Sequence, residues 1–406
     1  MLRILHTGDW HIGQTLRGYA RDGEHRAVLD DVVRISVERE VDLLVVAGDV
    51  YDGQNPSGPS QRLFYDTLAS LHRDRPDMGV VVVAGNHDAA SRLEAPDPLL
   101  QAFGVTVVGS VRRRDGSVDA DRHLVPVRVR GDVAAHVLAV SYPTAACLPP
   151  LKAEGDGSPV AGAVRSLYDE LWTMTRPRHD GVPVVVTGHL HVAGGLESEG
   201  SERRILVGGA HAVGHEVFPS EAAYVALGHL HRAQRVGRDE VRYCGSLMPL
   251  SATEMGYRHG VTLVTLDGAV PRFEHVVVDR PVGFLRVPGE GEVRVAELGD
   301  HLAALGLPPD LPHDRRPFVQ VRLSREGLPP GFREEIDRVA EGFPVRVVDV
   351  RLTPLPEVVK EIARVATTRL ADIDPVKVFE AAFERKIGHA PEPRHHHVFQ
   401  LLREGI

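Results

Sequence analysis

Cysteine is nearly missing: Cys147 and Cys244 are the only two in 406 residues. Two thiols exclude a disulfide framework and a cysteine-ligated metal cluster, and such scarcity fits a reducing compartment. No apolar run approaches the length needed to span a bilayer. The start, Met1-Leu2-Arg3-Ile4-Leu5-His6, runs into a strand pattern rather than a signal peptide, so a cytoplasmic chain without membrane association is expected. Excess positive charge is lacking too. A formal charge of -9 speaks against holding nucleic acid by bulk electrostatics alone, yet leaves room for a nuclease, whose carboxylates and metal can invert the local field. Basic clusters such as Arg112-Arg113-Arg114 and the series Arg17, Arg21, Arg26 read as solvated surface charge.

What is present is alternation of short apolar strands with amphipathic helices, over a length that allows two or three domains. A strand over residues 3 to 8 precedes a helix over 22 to 40, with Val28, Leu29, Val32, Val33 and Val37 on one face. The strand Leu43 to Ala47, a helix around Ser60 to Leu71 and the strand Val80 to Ala84 repeat the unit, which implies a parallel sheet covered on both faces. The pattern then turns strand-rich, with Leu124 to Val129 and His136 to Ser141. An exposed loop is expected over Pro149 to Gly162 and a helix around Val164 to Met174. Val241 to Cys244, Gly260 to Leu266 and Phe273 to Val278 read as the far edge of a second sheet. Near residue 280 the histidine and glycine signals stop. Strand Phe284 to Val287, helix Val293 to Leu305, strand Phe318 to Leu323, helix Pro330 to Glu341 and strand Val345 to Leu352 describe a compact two-layer α/β unit. Beyond Thr353 the chain reads as helical, with Asp374-Pro375 as cap and first turn, Gly388 as stop, and Val376, Phe379, Phe383 and Ile387 on one face. Such a stripe is expected to dock on a partner, and His395-His396-His397 to be a solvated tail.

The chemistry gathers at strand ends. Val184 to Thr187 and Tyr224 to Leu227 are too short and too β-branched for helices, and each delivers a glycine followed by histidines: Gly188-His189-Leu190-His191 and Gly228-His229-Leu230-His231. Earlier strands deliver Asp9 and His11, Asp49, and Asn86 and His87. Ligands in such sheets gather beyond the carboxyl ends of the strands. Singly, Asp9, Asp49 and Asn86 are ordinary turn formers or caps, His87 an ordinary core hydrogen-bonder, and Asp88 a helix N-cap. Jointly, oxygen and imidazole ligands without sulfur suit Mn²⁺, Fe²⁺ or Zn²⁺. Two such ions activate a water and stabilise the attacking and leaving oxygens at phosphorus, and Asp49, alone on its loop, is the natural bridge.

Asp-x-His, Gly-Asp, Gly-Asn-His-Asp, Gly-His and Gly-His-x-His, in this order, resemble the calcineurin-like metallophosphoesterases. Within that family the segments 4 to 13, 46 to 52, 84 to 88 and 226 to 246 are similar to the bacterial nuclease subunit that works with an SMC-like ATPase. The resemblance implies an α/β fold: a β-sandwich flanked by helices over 1 to 275, a small two-layer α/β capping domain over 276 to 353 that binds DNA, and a helical tail over 354 to 406 that binds the ATPase. It implies two divalent ions, Mn²⁺ foremost, one held by Asp9, His11, Asp49 and His231 and the other by Asp49, Asn86, His189 and His229. His87 would stabilise or protonate the leaving oxygen, Asp52 would orient His87, and Asp88 and His191 would stand behind the ligands or face substrate. It also implies DNA ends, hairpins and single strands as substrates, and a homodimer, through helices near residues 57 to 74 and 89 to 103, within a heterotetramer. Two alternatives remain open. A small-molecule phosphodiesterase or pyrophosphatase would share the metal loops without needing the C-terminal extension, and a non-catalytic scaffold would have shed ligands that this chain keeps.

Overall fold

The computed structural model describes residues 1–114, 116–151, 158–179, 181–198, 212–267, 271–352, 375–387 and 390–404. Strand β1 (Leu2–Thr7) leads through a short hairpin, β2 (Thr15–Leu16) and β3 (Tyr19–Ala20), into helix α1 (Asp22–Glu38). Val28, Leu29, Val32 and Ile35 form its buried face. Val37, expected on that face, is exposed, because Ile35 and Ser36 take the inward positions of that turn. β4 (Leu43–Ala47), α2 (Gly58–Asp74), β5 (Gly79–Val83), α3 (Ala90–Glu94), α4 (Asp97–Leu100) and β6 (Val105–Val108) follow. The Ser57 hydroxyl starts α2 by accepting from the Ser60 N–H.

A second hairpin, β7 (Arg113–Arg114) and β8 (Ser117–Val118), precedes β9 (Leu124–Val129) and β10 (Asp132–Leu138). The strand expected over 136 to 141 therefore begins earlier and ends at Leu138. Helix α5 (Pro159–His179) is longer than expected: Pro159 opens it, so the loop foreseen to Gly162 ends sooner, and part of that loop lies outside the described residues. Strands β11 (Val184–His189), β12 (Tyr224–Gly228), β13 (Gln234–Val236), β14 (Arg238–Tyr243), β15 (Gly260–Leu266) and β16 (Arg272–Val277) complete the body.

Two six-stranded sheets result, in the orders β16-β15-β1-β4-β5-β6 and β13-β14-β12-β11-β10-β9. The expected place of β15 and β16, at the edge of the second sheet, is corrected here: β15 returns to the first sheet and pairs antiparallel with β1, Leu2 opposite Leu266 and Leu5 opposite Leu263. Its side chains explain this: Val261 and Leu263 join the helix-side core and Val264 and Leu266 the core between the sheets, a demand only an interior strand meets. The first sheet is thus covered by α1 and α2 on one face and by the second sheet on the other, and α5 covers the second sheet's outer face. All five residues of β4 are fully buried. Burial of each Val or Leu contributes roughly 1.5–3 kcal/mol.

β17 (Phe284–Val287), β18 (Phe318–Leu323) and β19 (Arg346–Leu352) form a parallel three-stranded sheet packed by α6 (Leu298–Ala303) and α7 (Phe332–Glu341). This small domain sits on the body through Phe284 and Phe318, against Leu16, Tyr19, Ala252 and Met255. The fully buried Arg346 lies 3.8 Å over the Phe318 ring, and Arg21 lies 5.3 Å from it. Arg21, expected as solvated charge, is buried and paired with Glu24. In the tail, Pro375–Ile387 and Pro393–Glu404 are helices that pack on each other. Phe379 stacks on Phe399 at 4.4 Å. The histidine tract is not a solvated run: Pro393 opens a helix that sets His395 on Phe383 and His396 on Phe379. Asp374 and Gly388, the expected cap and stop, lie outside the described residues. No described helix is long and apolar enough to cross a membrane.

Candidate metal centre

Five loops at the carboxyl ends of β1, β4, β5, β11 and β12 converge above the junction of the two sheets, three from one sheet and two from the other. Sharp backbone turns make this possible. Asp9, His11, Asp49 and His229 all hold positive φ, a region L-residues enter at a cost. The loops tie to each other through backbone: Asp9 N–H donates to Gly48 O, and His11 N–H to Asp49 O, both at 3.0 Å. A Cβ on Gly85 would overlap Asp49 Oδ1 and its backbone nitrogen, so only glycine lets these loops touch.

Asp49 Oδ2 sits between two imidazoles, 3.5 Å from His11 Nε2 and 3.3 Å from His189 Nε2. Its Oδ1 accepts the His87 backbone N–H at 2.8 Å. On one side Asp9, His11 and His231 bring potential ligand atoms within 4.8 Å of one another, and on the other Asp9, Asp49 and His189 do so. Asn86 Oδ1 lies 2.9 Å from His189 Nε2, and the His189 and His229 rings are 5.4 Å apart. Asp9 also accepts the His229 backbone N–H, which stitches the first loop to the last.

The tautomers are set from behind. His189 Nδ1 donates to Ala47 O at 2.8 Å and His231 Nδ1 to Glu254 Oε1 at 2.8 Å, which leaves each Nε2 facing the cluster. A neutral His189 would then aim a lone pair at two oxygens, Asp49 Oδ2 and Asn86 Oδ1. Only a proton or a metal ion between them resolves that contact, and the donor set of oxygens and imidazoles suits an ion. His11 Nε2 is likewise buried with no hydrogen-bond partner among the described residues. The residues present therefore fit a pair of divalent cations.

Protonation in the ion-free protein follows the same geometry. Burial pushes His189 down, but Asp49 and Asp9 outweigh it and raise it to about 9. Burial alone would lift the Asp49 carboxyl, yet His189, His11 and His87 hold it well below the usual carboxylate range. Asp9 is pushed up by burial, partly countered by His189 and His231. His229 is driven down by burial and by His189.

The remaining expected residues lie around this cluster. His87 Nδ1 donates to the Asp52 backbone carbonyl at 2.8 Å, and its ring is 4.7 Å from that of His11. The Asp52 carboxylate accepts from His11 Nδ1 at 3.2 Å, and His11, Asp52 and His87 bring potential ligand atoms within 4.8 Å of one another. Asp88 is not an N-cap: α3 begins after Ala89 with no side-chain cap. Its carboxylate takes the N–H groups of Gly85, Val50 and Tyr51, tying the Asn86 loop to the Asp49 loop, and burial with Asp49 nearby raises it to about 6. His191 stands at the rim, 3.4 Å from Glu197. Glu254 escapes sequence reasoning. It is fully buried and 23 positions beyond its histidine, and nothing in Ser251-Ala252-Thr253-Glu254 marks it apart from a helix start.

A two-sheet sandwich with this cluster at its crest defines a calcineurin-like phosphoesterase, and the profile of that family matches residues 2–233, so the chain belongs to it. A second profile, described as type 5 capsule protein repressor C-terminal domain, matches residues 281–386. The chain is 44% identical over 390 residues to the D subunit of nuclease SbcCD from Rhodobacter capsulatus, covering 94% of each chain. It is 37% identical over 273 residues to the Bacillus subtilis counterpart, covering 65% of this chain and 66% of that one. With the Escherichia coli K12 counterpart it shares 30% over 363 residues, covering 86% and 85%. Within the phosphoesterases, then, it belongs to the SbcD family of nuclease subunits.

Proposed function

We propose that the chain is the two-metal DNA nuclease subunit of a complex with an SbcC/Rad50-like SMC ATPase, acting in the cytoplasm on duplex ends, hairpins and single strands in DNA repair. The observation that carries this reading is Asp49 Oδ2, set between His11 Nε2 at 3.5 Å and His189 Nε2 at 3.3 Å, a bridging position between two ligand groups. Asp9, His11, Asp49 and His231 would hold one ion, and Asp49, Asn86, His189 and His229 the other. Bound Mn²⁺ would supply an activated water and charge stabilisation for the attacking and leaving oxygens of a phosphodiester.

The chain's own groups do the rest. The His87 ring, held through its Nδ1–H on the Asp52 carbonyl, would act as an imidazolium, giving a proton to the leaving oxygen or neutralising its charge. The carbonyl of Ala47 and the carboxylates of Glu254 and Asp52 fix the rings of His189, His231 and His11 so that little reorganisation is needed on binding. The tail helices support the partner assignment: Phe379 and Phe383 are only half-buried in their hairpin, and Val378 and Val398 are exposed. Dimerisation through the helices near residues 57 to 74 and 89 to 103 is part of the same reading, since Leu99 in α4 and Phe103 just after it are exposed.

The test is cleavage of a DNA hairpin with Mn²⁺, with and without the ATPase and ATP, alongside hydrolysis of bis-p-nitrophenyl phosphate. Removing residues 354 to 406 is expected to abolish ATP-stimulated duplex cleavage and spare the small ester. Mn²⁺-dependent ester hydrolysis with no DNA cleavage in the full complex would instead favour a small-molecule phosphodiesterase.

A further inference from the structure

We propose that Glu254 is a positioning residue for the metal ligand His231, and that the turn carrying it transmits the seating of the small domain to the metal centre. This rests on the two-metal reading above. The turn Ala252–Glu254 has two sides. Toward the centre, the Glu254 carboxylate accepts from His231 Nδ1 at 2.8 Å and from the Leu250 N–H at 2.9 Å, and it is fully buried. Toward the small domain, its neighbours Ala252 and Met255 pack in the patch formed by Phe284, Phe318 and Val348.

A second path joins the same two places. Leu250 O accepts from Gln14 Nε2 at 2.6 Å, and Pro249 O and Gln14 Oε1 each accept from Arg21 Nη1 at 2.7 Å. Arg21, clamped by Glu24, lies 5.3 Å from the Phe318 ring on which Arg346 stacks from the small domain. Every link in this path is a direct contact, so a shift of the small domain's sheet moves the loop from 249 to 255 as a unit. On this path the Glu254 side chain carries that loop to the cluster, through its hydrogen bond with His231. A carboxylate behind a ligating imidazole fixes ring orientation and raises its basicity, so displacing it weakens one ion and not the other. His189, on the opposite side of Asp49, is oriented by Ala47 O and lies outside this path.

The experiment is calorimetric titration of the full chain with Mn²⁺, with thermal melting of the metal-free proteins as a measure of folding. Glu254→Gln is expected to weaken one of two Mn²⁺ sites by about 10- to 100-fold and leave the other unchanged. Met255→Ala, and Val348→Ala from the small-domain side, are expected to weaken that same site by about 3- to 10-fold with metal-free melting close to the parent's. Parent affinity in Glu254→Gln, or in both patch variants, overturns the proposal. Equal loss at both sites overturns it as well, since that is general loosening. A parent chain that binds no Mn²⁺ overturns the two-metal reading itself, an outcome distinct from two sites that ignore the substitutions.

Discussion

Between the two sheets, in an otherwise apolar layer, His6 Nδ1 accepts a hydrogen bond from Tyr224 Oη at 2.7 Å. The pair crosses from β1, which delivers Asp9 and His11, to β12, which delivers His229 and His231. Burial lowers the His6 pKa to about 3, so the folded protein keeps this ring neutral. An unfolded chain protonates it near the usual histidine value of about 6.5. Because the folded-state pKa is depressed, the unfolded state binds more protons between those values, and stability falls as pH drops through that window. At pH 5 the loss from His6 alone is about 2 kcal/mol relative to pH 7.5. His25 and His259, both lowered to about 4 chiefly by burial, each add a loss of about 2 kcal/mol with the same sign. The three together contribute about 6 kcal/mol of acid loss, offset in part by Asp88 and His189, whose raised values act with opposite sign, so His6→Leu should lose about 2 kcal/mol less than the parent. Tyr224→Phe leaves the His6 acceptor buried and unpaired and should cost about 1–3 kcal/mol at pH 7.5, whereas His6→Leu combined with Tyr224→Phe should recover part of that. Urea unfolding of the metal-free proteins at pH 5 and 7.5 measures all of this. An acid loss in His6→Leu as large as the parent's would refute the reasoning, as would a double variant that costs the sum of its two singles.

Two further outcomes follow from the centre. His87→Ala keeps the backbone N–H that Asp49 accepts, so Mn²⁺ binding should match the parent while turnover falls by about 10²- to 10⁴-fold, measured as kcat on a hairpin at saturating Mn²⁺. Gly85→Ala places a methyl where Asp49 Oδ1 lies, so calorimetry should show both Mn²⁺ sites weakened together, and thermal melting a stability loss of about 1–3 kcal/mol.

The sequence displays the centre more fully than its supports. Strand-end glycines followed by Asp or His carry their signal in a few adjacent positions, and Asp9, His11, Asp49, Asn86, His87, His189, His229 and His231 all arrive in one cluster. What lies hidden depends on contacts distant in sequence. Glu254 orients a histidine across 23 positions, and Asp88 resembles a cap because the partners that reveal its role, Val50 and Tyr51, are 38 and 37 residues away. The return of β15 to β1 is hidden as well, since a strand buried on both faces carries no alternation to say which sheet it enters. The small domain's order of strands and helices is legible, but its first helix, expected over Val293 to Leu305, spans only Leu298–Ala303, because Val293 bridges to Leu323 and a tight turn over Val295–Glu297 comes before it.

Among the described residues, seven other than glycine hold positive φ, and Asp9, His11, Asp49 and His229 are four of them. Each such conformation costs about 1 kcal/mol that glycine or asparagine would largely recover. Variants selected for heat resistance alone should therefore drift first at these positions, gaining robustness as they shed the side chains that make the enzyme useful. The backbone conformations that cost the body stability are also among the ones it can least spare.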